Sequence, residues 1–257
     1  MYVNHNILAS NPFFEAYTQS DVLGKFIFLA LYALSICSWI VLLHKIWLTY
    51  QARKNAFRFY EAFQLQRLNP LSLDCENINK KKILNPFLDL YKVLKKQSLD
   101  VLAKNRHFST LQSSPATPTP NGQNPTGYLN LSDIDFVASH LSTQMASQVK
   151  YLEKNLYILS TTVSLAPFLG LLGTVWGILT TFSELQAHQA GGGTHQMVLS
   201  GLSLALATTV LGLIDAIPAL IGYNYLKNTI RDFAMDMEGF SNDILAAVEL
   251  QYRKVDG

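Results

Sequence analysis

Three long stretches of this chain are almost free of charge, and they constrain everything else it can do. Phe26 to Leu43 runs 18 residues without a charged side chain, and Leu156 to Ser183 runs 28. Met197 to Leu226 runs 30 residues with Asp215 as its one charge. A helix rises about 1.5 Å per residue, so about 20 residues cross the hydrocarbon core of a bilayer. Each block is long enough to span, the latter two with some excess. The composition agrees: 49% of residues are hydrophobic and only 15% are charged, where about 25% charged is usual. Met1 to Ser20 has neither the early basic region nor the small-residue cleavage site of a secretory signal.

Lysine and arginine set the orientation. Of the 20, 15 lie between Lys45 and Lys154, four lie in the tail from Lys227, and only Lys25 precedes the first block. The stretch from Glu184 to Gln196 has none. Positive charge stays inside, which places the N-terminus outside and the C-terminal tail inside. The expected division is an external segment 1–21, spans at 22–44, 156–183 and 197–226, an internal region 45–155, an external loop 184–196 and an internal helix 227–257. The net charge of +2 is thus topological and no sign of nucleic-acid binding. Cys37 and Cys75 fall in different solvents on this reading, which excludes a disulfide between them.

Periodicity fills in the regions between. Pro12 to Tyr17 is read as a short amphipathic interfacial helix or a disordered terminus. Trp47, Tyr50, Phe57, Tyr60 and Phe63 predict that the first helix continues inside, with one aromatic stripe on a partner helix. A further helix is expected around Leu88 to Leu102. Residues 109–129, rich in Pro, Ser, Thr, Asn and Gly, read as a flexible insertion. Ser132 is the expected N-cap of the next helix, with Asp135 in the capping-box position. Its stripe of Ile134, Val137, Leu141, Met145, Val149, Leu152 and Leu156 runs into the second block with no breaker before Pro167, predicting one long helix. Ile230, Phe233, Met237, Ile244, Leu245 and Val248 extend the third helix back inside.

The last two spans carry faces of small residues. Gly170, Gly173, Thr174, Gly177 and Thr181 share one face of the second, just after Pro167, whose missing N–H can open or kink the helix. Gly201, Ala205, Thr208, Gly212, Asp215, Ala219 and Gly222 form a seam along the third, flanked by Thr209. Small residues let helix backbones approach closely, and threonine hydroxyls can hydrogen-bond across a pair; from spacing alone, the face on the second span reads as ordinary helix packing. The supply exceeds what three helices require, which points to a homo-oligomer.

The run Gly170-Leu-Leu-Gly-Thr-Val-Trp-Gly-Ile-Leu and the run Gly212-Leu-Ile-Asp-Ala-Ile-Pro-Ala-Leu-Ile-Gly-Tyr-Asn resemble the TolQ/ExbB/MotA proton-channel family. Ser35-Ile-Cys-Ser-Trp39 also resembles its TolQ and ExbB members, which have three spans where MotA has four. The resemblance implies an all-α integral membrane protein of three transmembrane helices with long cytoplasmic helical extensions. It implies a bacterial inner (cytoplasmic) membrane location with a periplasmic N-terminus. It further implies a pentamer around single-span TolR/ExbD-type partners that carry a membrane aspartate, acting on a TolA- or TonB-type protein. Such a complex couples proton flow to work at the outer membrane, as Tol-Pal-type envelope integrity or TonB-type uptake. The family's pore-facing threonines match Thr174 and Thr209. Thr208 and Asp215 join them as proton-path candidates, and Pro167 and Pro218 join Gly170, Gly173, Gly177, Gly201 and Gly212 as packing residues. Relatives usually have a glutamate where this chain has Leu204, and an apolar or small residue at Asp215. Eleven residues apart, the two positions nearly share a helical face, so Asp215 is either a displaced proton-path carboxylate or a protonated or internally paired structural residue.

No other constellation rises to a site. Gly191-Gly192-Gly193-Thr194 lacks the lysine of a phosphate loop, the six histidines have no ligand spacing, and Lys80 to Lys82 reads as a solvated or headgroup-facing run. The expectation is a protein that is not an enzyme, needs no cofactor or metal, contacts lipid and binds no nucleic acid. The competing readings are a non-conducting membrane scaffold or a transport or secretion component.

Overall fold

A computed structural model describes residues 12–66, 69–73, 84–112, 128–187 and 194–253. The glycine run at 191–193, Cys75, Lys80 to Lys82 and most of the 109–129 insertion lie outside them. The described chain is helical: α1 (Pro12–Gln19), α2 (Val22–Leu65), α3 (Pro86–Gln112), α4 (Leu131–Glu153), α5 (Leu156–Ala187) and α6 (Thr194–Tyr252). Three of these, α2, α5 and α6, are long and apolar enough to cross a membrane. This is the all-α membrane fold the hydropathy predicts. The chain forms two compact units, one of residues 1–46 and 154–227, the other of 47–153 and 228–257.

The second unit has an aromatic core. Phe59 and Phe63 of α2, Phe87 and Tyr91 of α3, and Phe233 and Phe240 of α6 are all buried. Phe87 stacks on Phe240 with ring centroids 4.3 Å apart and planes 3° from parallel. The α6 tail contributes Ile230, Phe233, Met237, Ile244 and Val248. The expected aromatic stripe on α2 is corrected here. Trp47, Tyr50 and Phe57 are exposed, and the buried line is Thr49, Ala52, Ala56, Phe59 and Phe63, spaced at three and four as a 3.6-residue period requires. Alanines 52 and 56 mark where neighbours come close; aromatic rings drew attention because of their size and not their register. Around this core, Arg53 pairs with Asp236 at 3.3 Å, and the Tyr60 hydroxyl donates to Asp243 at 3.0 Å. Gln148 of α4 donates to Asp89 of α3 at 3.1 Å.

Three boundaries also differ from the sequence reading. Helix α4 starts at Leu131, because the Asp133 carboxylate accepts the Asn130 backbone N–H at 3.0 Å and the Asn130 carbonyl accepts from Ile134; the cap is Asn130, not Ser132. The predicted continuous helix is broken at Lys154 and Asn155, where Asn155 has φ 70°. Asparagine is the non-glycine residue that best tolerates this left-handed conformation, and one such residue ends a helix. Residues 109–112, expected to belong to the insertion, end α3, and Leu129 is buried and donates its N–H to the Tyr252 carbonyl at 2.8 Å.

Candidate functional site

In the first unit, α5 and α6 run antiparallel with their backbones in contact. A Cβ placed on Gly170 would lie 3.0 Å from the Thr208 carbonyl oxygen and 3.0 Å from the Thr209 Cα. On Gly177 it would lie 2.9 Å from the Gly201 carbonyl oxygen, and on Gly212 2.6 Å from that of Ala166. On Gly173 it would meet the Thr208 Cβ at 2.6 Å. At Gly170, Gly177 and Gly212 the obstructing atoms include backbone of the facing helix and at Gly173 they are the Thr208 side chain, so an added methyl group forces one of them to shift. Pro167 and Pro218 lie inside unbroken helices, so neither opens its span.

The threonines sit at different depths in this seam. Thr208 is fully buried and donates to the Ala205 carbonyl at 3.0 Å. Thr209 is half-buried, its hydroxyl 3.3 Å from both the Ala205 and Gly170 carbonyl oxygens. With one hydrogen to give, it is shared between its own helix and the neighbour. Thr174, half-buried one turn beyond Gly170, donates to the Leu171 carbonyl at 2.6 Å. Gly170 thus sets Thr209 against α5, Thr174 lies one turn on along α5 and bonds within its own helix, and Thr208 closes the interior of the seam.

Asp215 goes elsewhere. It is 7% exposed and is hydrogen-bonded by the Ser35 side chain of α2. Next to it, Ala216 packs with Ile27, Leu31 and Ala166, and Gly222 receives the Leu42 side chain. The single seam expected along the third span is thus two: Gly201 to Gly212 faces α5, and Asp215 to Gly222 faces α2. This corrects the inference drawn from their number. The small residues are used up packing one chain's three helices and do not by themselves call for an oligomer. The outer faces of α5 and α6 carry large apolar residues instead, among them Leu171, Val175, Leu206 and Val210, all exposed.

Sequence reasoning missed two partners, Ser35 and Asp21, and left α1 open between a short helix and a disordered terminus. Ser35, with buried Ser38 one turn on, was visible as a polar pair inside an apolar span. Asp21 caps α2 by accepting the Gly24 N–H at 2.9 Å and accepts the Trp176 indole N–H at 2.8 Å, joining the start of the first span to α5. Helix α1 is ordered, with Ala16 buried against Phe28 and Ala207.

This arrangement of helices carries a recognisable sequence. The MotA/TolQ/ExbB proton channel family matches residues 121–239. A biopolymer transport protein ExbB from Aquifex aeolicus is 43% identical over 100 residues, covering 39% of this chain and 66% of that protein. A Tol-Pal system protein TolQ from Haemophilus influenzae is 26% identical over 248 residues, 93% of this chain and 94% of that protein. A second ExbB, from Helicobacter pylori, is 51% identical over 75 residues, 29% of this chain and half of that protein. The chain belongs to the MotA/TolQ/ExbB proton channel family and is a membrane protein.

Proposed function

We propose that the chain is a ring subunit of a proton-motive-force-driven complex in the bacterial inner membrane. It is read as a pentamer, with its N-terminus in the periplasm, enclosing single-span TolR/ExbD-type helices that carry a membrane aspartate. Proton flow through the complex then does work at the outer membrane through a TolA- or TonB-type protein. Relatives aligned along nearly the whole chain bear both a Tol-Pal name and the ExbB name, and those of highest identity bear the ExbB name; either system fits. The chain itself performs no enzymatic reaction in this scheme.

The observation that carries the reading is the edge of the α5–α6 seam. Thr174 and Thr209 present hydroxyls there at partial exposure, on helices whose backbones are locked together through Gly170. A partner's carboxylate, or water serving it, needs hydrogen-bonding neighbours in a low-dielectric setting, and two rigidly held hydroxyls provide them. The test is proton uptake by liposomes that contain the full chain with its partner. Thr174→Val and Thr209→Val keep the side-chain shape and remove the hydroxyl. They should assemble as the unaltered chain does and lose proton-driven function. Full activity in both would place the path elsewhere, and absence of flux from the unaltered complex would favour the scaffold reading.

A further inference from the structure

Asp215 is the one charged residue between Met197 and Leu226, and it is buried against α2 rather than at the threonine edge. We propose that Asp215 and Ser35 form a second proton-binding site, within the chain itself at the α2–α6 contact, that holds and releases a proton without the partner's carboxylate. The proposal goes beyond the threonine path and rests only on α6 being membrane-embedded.

An ionised carboxylate at membrane depth is costly unless paired. From Ile27 to Leu42, the part of α2 packed here, there is no Lys, Arg, His, Asp or Glu; its titratable side chains are Tyr32 and Cys37, both exposed. Helix α5 has only Tyr157 between Leu156 and Ser183, and α6 has Tyr223 and Tyr225 beside Asp215 between Met197 and Leu226. Tyr17 of α1 packs on Phe28. The sequence therefore places no cation on these faces to fix the aspartate in its ionised form. Ser35 contributes a hydroxyl that can donate to the carboxylate and accept from the protonated acid, so it serves both states, the ionised one more strongly because a charged acceptor makes the stronger bond. Ser38, buried one turn further on, donates to the Ser35 carbonyl at 2.9 Å and keeps that side of α2 polar. A merely structural polar pair needs no such tolerance of both states, and that difference can be measured.

The probe is dicyclohexylcarbodiimide, which modifies protonated carboxyls within membranes, applied to membranes containing the full chain over a range of pH. Modification of the peptide carrying residue 215 is read by mass spectrometry. We expect labelling that falls as pH rises and is absent in Asp215→Asn. In Ser35→Ala, labelling should persist about one pH unit higher, because the ionised form loses a hydrogen bond. Ser35→Thr, which keeps the hydroxyl, should restore the original profile. No labelling of residue 215 at any pH, labelling insensitive to pH, or an unchanged profile in Ser35→Ala would each overturn the proposal. Because Thr174→Val and Thr209→Val leave this site intact, their labelling profiles should match the unaltered chain even where proton-driven function is lost.

Discussion

Replacing Gly212 by alanine adds one methyl group 2.6 Å from the Ala166 carbonyl oxygen and 3.4 Å from the Gly170 Cα. Both neighbours are backbone, so no side chain can rotate away; the helices themselves must separate. Gly239 lies on the same helix, and a methyl group there meets nothing within 4 Å. The chemical change is identical, so the difference between the two variants isolates the close approach. Alanine gains about 1 kcal/mol over glycine in a helix interior, while overpacking a tight contact costs about 1–3 kcal/mol. Gly239→Ala should therefore be stabilised by up to about 1 kcal/mol, and Gly212→Ala should range from near neutral to about 2 kcal/mol less stable. Thermal unfolding of the full chain in mild detergent reads this, at about 2–4 °C per kcal/mol for a chain of this size. Gly239→Ala should melt above the parent and Gly212→Ala at or below it. A Gly212→Ala protein as stable as Gly239→Ala would refute the backbone contact between α5 and α6.

Three further outcomes are expected. Burial raises the Asp89 carboxyl above its ordinary value, against the opposing pull of Lys92 and the Gln148 hydrogen bond. The folded state thus holds this proton more tightly than the unfolded one, so its contribution to stability is full below the ordinary carboxylate range and declines as pH rises through the raised folded value. Asp89→Asn should remove that part of the pH dependence in unfolding measured from mildly acidic to neutral pH; an unchanged slope would sink the assignment. At Asn155, with φ 70°, Asn155→Gly should be tolerated and Asn155→Val should lose about 1–2 kcal/mol, compared by the same melting assay; equal stability would argue for the uninterrupted helix. For topology, with Cys37 and Cys75 replaced, a cysteine at Ser109 should react with an impermeant reagent only after permeabilisation, and one at His188 should react on intact cells. The reverse pattern would invert the chain.

The spans were legible because transfer into lipid depends on composition over about 20 residues and on little else. The family was legible because the glycine and threonine spacings of the second and third spans stand in the sequence as written. The helix-forming stripes of α4 and the α6 tail were equally readable, since a 3.6-residue period needs no knowledge of the partner. What a seam packs against is a different kind of quantity. Gly201 to Gly222 reads as one line of small residues, yet it changes partner at Asp215, from α5 to α2, because three helices meet at angles that no single-helix period encodes. For the same reason the sequence showed an excess of small residues where the fold finds a use for each within one chain. Asn155 was in plain view, but whether an asparagine adopts positive φ depends on whether the segments on either side gain more from separate packing than from one helix. Ser35 became a partner of Asp215, 180 positions further along the chain, only when α2 lay against α6, and that proximity exists only in the tertiary structure.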